Sequence, residues 1–237
     1  MAKARSNDVV IVDAVRTAAG RGREGGALAD VHPVDLLAQT FRQLISRHDL
    51  DPGTVDDVII GCVSQVGEQS ATPGRMAWLG AGFPTHVPAT TIDRKCGSSQ
   101  QAVHFAAQGI MAGVYDIVVA GGVESMSRVV MGSARMGADP YGTLVAKRYH
   151  PGLVSQGVAA ELVAARWNLD RTALDEYSVR SHTLAAQTQE AGLFDREIIP
   201  VETPSGTVNR DETIRPNSTV EKLATLKTVF GTPELSE

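Results

Sequence analysis

Cys96 sits in the stretch of this chain best suited to activating a thiol, Thr90-Thr-Ile-Asp-Arg-Lys-Cys96-Gly-Ser-Ser-Gln-Gln-Ala102. The pattern predicts a strand that ends, a tight connection, and a helix that begins at Cys96. The first turn of a helix carries unpaired N–H groups and the positive end of the helix dipole. Both favour a thiolate over a thiol, the form that attacks carbonyl carbon. Gly97 leaves room for backbone or substrate to approach, and Arg94 and Lys95 could add positive potential. Read more plainly, a free cysteine is a small buried hydrophobe. That reading fits Cys62, which stands in the apolar run Val58-Ile-Ile-Gly-Cys-Val63.

A nucleophilic cysteine needs a base. Histidines occur at positions 32, 48, 86, 104, 150 and 182. His104 lies eight residues into the helix, about 12 Å along its axis and too far to reach the sulfur. His86 precedes the strand that feeds Cys96, and no motif marks any of the six as a catalytic base. A Cys96 nucleophile therefore needs a proton acceptor that this sequence does not identify.

Two glycine-rich stretches could approach a ligand closely. Gly121-Gly-Val-Glu-Ser-Met-Ser127 directly follows an apolar strand, and Gly20-Arg-Gly-Arg-Glu-Gly-Gly26 follows another. Neither has the spacing of a phosphate-binding or dinucleotide-binding loop. With only two cysteines and no close acidic or histidine partners beside them, neither a disulfide framework nor a metal site is expected.

The elements that must position these residues follow from hydrophobic period. Val9 to Val15 reads as a buried strand, Pro33 to Ser46 as a helix, Val58 to Val63 as a second strand and Ala71 to Gly82 as a helix. Ala89 to Ile92 reads as a short strand. Gly97 to Gly113 reads as a mostly buried helix of small residues, and Ile117 to Ala120 as a further strand. Strand and helix alternate over about 120 residues, which implies a doubly wound α/β unit.

Beyond residue 125 the texture changes. Met126 to Gly157 has no clear period. Val158 to Trp167 reads as helix, and Thr172-Ala-Leu-Asp175 fits a capping box opening a helix to about Glu190, with Gly192 as its C-terminal cap. Ile198 to Val201 reads as a short strand, the stretch 203–219 as turns and 219–226 as a last short helix. Two domains are expected, 1–125 and 126–237.

Composition narrows the function. The 237 residues carry 22 basic and 27 acidic side chains, a net charge of -5, without a Lys/Arg cluster, so no nucleic-acid partner is expected. Hydrophobic residues make up 43% and charged residues 21%, which is globular rather than disordered. No apolar run has the ~18 residues of a membrane span, and the N-terminus lacks a secretory signal pattern. A cytoplasmic protein is the expectation.

From Val9 to about Phe230 the chain resembles the thiolases, the acyl-CoA C-acyltransferases. Val10-Ile-Val-Asp-Ala-Val-Arg-Thr17 resembles their opening strand and turn, and Cys96-Gly-Ser-Ser with Gln101-Ala-Val their nucleophile segment. Ala120-Gly-Gly-Val-Glu-Ser-Met-Ser127 is similar to a specific thiolase signature. Gln156-Gly-Val-Ala-Ala-Glu161 resembles the segment that opens the coenzyme-A-binding loop domain, and the stretches Asp170 to Phe194 and Leu226-Lys-Thr-Val-Phe230 continue the likeness. Gly61-Cys-Val-Ser-Gln-Val-Gly-Glu-Gln69 looks most like degradative, actinobacterial-type members.

The resemblance implies a thiolase-like layered α/β/α N-terminal domain, without its final strand and helix, followed by a helix-and-loop domain that binds coenzyme A. It implies acyl transfer through a Cys96 thioester, as in fatty-acid β-oxidation and related lipid metabolism. The Cys96 N–H would serve an oxyanion hole. Acyl-CoA and CoA would be substrates, with no permanently bound cofactor. Arg215 would meet the adenine-nucleotide end of CoA, and Phe230 would line the pantetheine channel. Ser155 and Gln156 stand where biosynthetic members carry His-Met. The family's Asn-Glu-Ala-Phe, Gly-His-Pro and Cys-x-Gly motifs, which supply an oxyanion contact, the base and the acid, do not occur in these 237 residues. A complementary C-terminal half is therefore the implied partner, alongside self-association into dimers or tetramers. Two other readings stay open: a truncated or non-catalytic CoA-binding or scaffolding subunit, and another member of the wider fold group, such as a ketoacyl synthase. The Gly121–Ser127 stretch argues against the last.

Overall fold

The computed structural model describes residues 8–150 and 152–230. They divide into two compact units: residues up to 136 together with 194–213, and residues 137–193 together with the stretch from 214 on. The chain thus changes unit near residue 136, eleven residues later than the textural shift at 125. The segment 194–213 then returns to the first unit.

In the first unit the α1 helix, Pro33–Ser46, opens with proline at its first turn, and the His32 ring nitrogen accepts the Val34 N–H. It buries Leu36, Leu37, Phe41 and Ile45, the helical period read from the sequence. The β1 strand, Asp57–Gly61, follows, then the α2 helix, Pro73–Gly80, and the β2 strand, Ala89–Ile92. The α3 helix, Ser98–Met111, leads to the β3 strand, Val118–Gly122. The three strands form a parallel sheet in the order β2-β1-β3, with Gly61 opposite Gly122.

Alternation along β1 splits the core between two faces. Val58 and Ile60 point to α1 and α2, where Phe41, Trp78 and Ala77 join them; Ile59 points to α3, against Ala102 and Ala106. Helices thus cover both faces of a parallel sheet, as the α/β/α expectation requires. Trp78 is fully buried between the rings of Phe41 and Phe83, edge to face at centroid distances of 5.8 and 4.7 Å, and its indole N–H donates to the Pro84 carbonyl at 3.1 Å.

Two expectations in this unit fail. Val9 to Val15 is not a buried strand: the segment pairs with no strand among the described residues, and Val10, Ile11 and Val12 are about three-quarters exposed. A β-branched run becomes a strand only where a neighbour completes its ladder and covers its faces. Nor is α3 mostly buried. Only Ser98, Gln101, Ala102 and Ala106 are covered, while Val103, Phe105 and Met111 are exposed.

The returning segment is tied to the N-terminal loop. Arg16 pairs with Asp211 through two hydrogen bonds of 2.7 and 3.0 Å and with Glu197 at 2.7 Å, and its guanidinium lies over the Phe194 ring. Glu212 accepts the N–H groups of Arg21 and Ala27, at 2.8 and 2.9 Å, and pairs with the Arg21 side chain. Those hydrogen bonds, first the Ala27 N–H, hold its carboxyl at about 2. Ile198 bridges Arg16, and the short strand falls slightly later than expected: β4, Val201–Thr203, makes a hairpin with β5, Gly206–Val208.

The second unit is helical. It holds α4, Gly142–Arg148; α5, Gln156–Arg166; α6, Arg171–Glu190; and α7, Val220–Ala224. The α6 cap differs from expectation. Asp170, not Thr172, is the N-cap, its carboxylate accepting the Ala173 N–H at 2.8 Å. Asp175 is buried and pairs with Arg171 one turn earlier, so it is not free to close a capping box. Gly192 follows the helix at φ +67, as the cap reading required.

Candidate active site

The site is assembled at the C-terminal edge of the parallel sheet, where β2 ends, a five-residue turn follows and α3 begins. Asp93 holds that turn. Its carboxylate accepts the backbone N–H of Lys95 at 2.7 Å and the Lys95 ammonium at 2.6 Å, which keeps it below the ordinary carboxylate range. Lys95 takes φ +53, a left-handed conformation that a side chain adopts only where its surroundings enforce it. Ser98 closes the turn from the helix side. Its hydroxyl accepts the Arg94 N–H at 2.8 Å and donates to the Lys95 carbonyl at 2.6 Å. The N–H groups of Gly97 and Ser98 return to the carbonyls of Arg94 and Lys95.

Cys96 stands at the outer point of this turn and is exposed. The helix N-cap is Gly97, which offers no side-chain acceptor to the first-turn N–H groups. The turn therefore presents a free thiol beside a helix N-terminus, as the sequence implies. The two flanking cations are already engaged: Lys95 with Asp93, and the Arg94 guanidinium with the Gln101 side-chain carbonyl.

The loops after β1 and β3 brace the same edge. The Glu124 carboxylate accepts the N–H groups of Val63 and Ser64, at 2.8 and 3.3 Å, and the Gln69 side-chain amide at 2.9 Å. Gln69 is fully buried, donates also to the Ser64 carbonyl and accepts the Ser125 N–H at 2.8 Å. Every polar atom of that amide is satisfied, and the loops become one unit. Sequence reasoning singled out the Gly121–Ser127 stretch for its glycines and missed Glu124 and Gln69 as its fasteners. Their separation of 55 residues left no local signal.

Cys62 is buried, and burial, reinforced by the Glu124 charge, pushes its thiol up to about 12. That suits its reading as an inert core residue. Four of the histidines serve elsewhere: His48 meets Asp13 at 2.7 Å, His86 the Gly53 carbonyl at 3.0 Å, and His32 and His182 accept backbone N–H groups.

In the second unit Ser155 is the N-cap of α5, its hydroxyl accepting the Val158 N–H at 3.3 Å, and Gln156 is the first helical residue. The Phe230 ring lies against Gly157, where an added Cβ would come within 2.4 Å of it. The structure thus gathers Ser155, Gln156 and Phe230 at one helix start. Arg215 is placed beside α6 instead, its N–H donating to His182 at 3.2 Å. Among the described residues, no cluster of His, Cys, Asp and Glu could hold a metal ion, and no helix is long and apolar enough to cross a membrane.

Residues 9–233 match the family model described as thiolase, N-terminal domain. The chain is 46% identical over 228 residues to a steroid 3-ketoacyl-CoA thiolase of Mycobacterium tuberculosis, covering 93% of this chain and 55% of that protein. It is 42% identical over 236 residues to a 3-ketoacyl-CoA thiolase of Pectobacterium carotovorum, covering 94% and 58%. Among solved structures it is similar to the Bacillus anthracis acetyl-CoA acetyltransferase, with 35% identity and a TM-score of 0.79, covering 94% of this chain and 59% of that one. The chain spans little more than half the length of these relatives.

Proposed function

Because the chain belongs to the thiolase family, its residues matching that family's N-terminal domain, we propose that it carries the nucleophile and CoA-binding portion of an acyl-CoA C-acyltransferase. The observation that supports this most directly is Cys96: an exposed thiol on a clamped turn at the start of α3. In this reading the Cys96 thiolate attacks the 3-keto carbon of a 3-ketoacyl-CoA. A bond forms between Sγ and that carbon, and the C2–C3 bond breaks. The departing acetyl-CoA takes a proton at C2, and the acyl group stays on Cys96 as a thioester. CoA thiolate then attacks the thioester carbonyl, releasing acyl-CoA and regenerating Cys96. The Cys96 N–H would contribute to holding the oxyanion.

Coenzyme A would lie along the second unit, with Phe230, Ser155 and Gln156 at the pantetheine end and Arg215 at the nucleotide end. The base that takes the Cys96 proton and the acid that protonates C2 would come from a complementary C-terminal half, on the same or another polypeptide. Self-association belongs to the same reading, as does a cytoplasmic setting. Substrates among 3-ketoacyl-CoA thioesters are part of this reading, supported by similarity to proteins named 3-ketoacyl-CoA thiolases. A non-catalytic CoA-binding subunit is the competing reading.

Intact mass after incubation with acetoacetyl-CoA or acetyl-CoA tests the proposal. An acyl increment that disappears in Cys96→Ala supports it. No increment on a chain whose Cys96 still reacts with iodoacetamide would transfer the assignment to the non-catalytic reading.

A further inference from the structure

Gly61 and Gly122 face each other in register at the ends of β1 and β3. Alternation turns both toward α3, since Ile59 on β1 and Ala120 on β3 pack on that helix. The first turn of α3 lies directly on the pair. A Cβ on Gly61 would stand 2.4 Å from the Ser99 nitrogen and 2.5 Å from the Ser98 carbonyl carbon, both backbone atoms. A Cβ on Gly122 would stand 1.9 Å from the Ser99 hydroxyl and 2.8 Å from the Gly61 carbonyl oxygen. The neighbouring Gly121 points to the opposite face, where a Cβ would meet Ile60 at an ordinary 4.0 Å. Side chains are thus excluded specifically beneath the start of α3.

We propose that Gly61 and Gly122 are positioning residues for Cys96: a two-strand notch that sets how low the first turn of α3 sits on the sheet. Any side chain in the notch lifts Ser98 and Ser99. The Ser98 hydroxyl carries that movement into the turn, because it is bonded to the backbone of Arg94 and Lys95, the two residues that lead into Cys96. The other end of the turn cannot follow, since the Cys62 N–H fixes the Ile92 carbonyl on β2 at 3.0 Å. The displacement is therefore taken up between residues 93 and 97, and Cys96 loses its place beside the helix N-terminus. The notch matters to function through the reading of Cys96 as nucleophile, but its test uses no acyl-CoA.

The test is the rate at which iodoacetamide labels Cys96 in the folded chain, followed by peptide mass. Gly61→Ala and Gly122→Ala are expected to slow labelling by about tenfold, as the thiol leaves its exposed place on the clamped turn beside the helix N-terminus. Gly121→Ala is expected to match wild type. Gly109→Ala, at the far end of α3, places its Cβ 2.2 Å from the Tyr115 ring. It should lower the melting temperature and leave labelling unchanged, which separates positioning from general destabilisation. Ser99→Gly combined with Gly122→Ala removes the hydroxyl from the notch and should recover much of the rate. Folded Gly61→Ala and Gly122→Ala proteins labelled at the wild-type rate would overturn the proposal, as would equal slowing in Gly109→Ala. If both notch variants fail to fold, Ser99→Thr adds the bulk from the helix side: slower labelling supports the proposal, and an unchanged rate overturns it. Acyl-adduct formation is a separate readout, so a lost adduct with an intact labelling pattern counts against acyl transfer and not against the notch.

Discussion

At the scale of single residues, the two cysteines show how much environment adds to residue type. Sequence separated them correctly as one buried and one exposed before a helix, although Cys62 lies one residue past the end of its apolar strand rather than within it. It could not show the clamp of Asp93 and Ser98 around Cys96, because a turn's hydrogen bonds depend on backbone angles such as the positive φ of Lys95. Nor could it show that Arg94 and Lys95 are engaged by neighbours and not by the thiol. Glu212 gives a pH test at this scale. Its carboxyl is held at about 2, against an ordinary 4.5. The stabilisation it brings is complete above the ordinary value and is lost as pH falls through that window toward 2. The melting temperature of wild type should therefore fall between pH 4.5 and 2 more steeply than that of Glu212→Gln. Parallel curves would show that the unfolded chain keeps the same contacts.

At the scale of elements, helix and strand positions inside the α/β layers were legible because each buries a face whose period is local. The α1, β1, β2, α3 and β3 assignments rest on that. Failures came where the deciding partner is distant. Val9 to Val15 has the composition of a strand but no described neighbour to pair with, and α3 leaves Val103, Phe105 and Met111 exposed. The α6 cap failed for a smaller reason: a Ser/Thr-x-x-acid pattern exists at Thr172, but the helix already starts at Arg171, with Asp170 as its N-cap accepting the Ala173 N–H. Asp170→Ala should cost about 1 kcal/mol in denaturant unfolding, as N-cap losses do, and Thr172→Ala only a few tenths. The reverse order would restore the capping box.

At the scale of the whole molecule, the exposed run Val10-Ile11-Val12 and the exposed Val103, Phe105 and Met111 of α3 leave apolar surface facing solvent among the described residues. Extended apolar edges recruit other edges. The chain is expected to self-associate in sedimentation velocity, and Ile11→Lys should shift it toward smaller species without altering Cys96 labelling. A monomeric wild type would show that these surfaces are covered in solution. The returning segment 194–213 carries a different consequence, one for biosynthesis. The N-terminal loop at Arg16 cannot close its bonds to Asp211 until 195 further residues have been added. At translation rates of about 5–20 residues per second that is a wait of roughly 10–40 s. Through that interval the nascent first unit stays open on the ribosome, its loop unfastened while the whole helical insertion emerges, and chaperones would have their longest opportunity there.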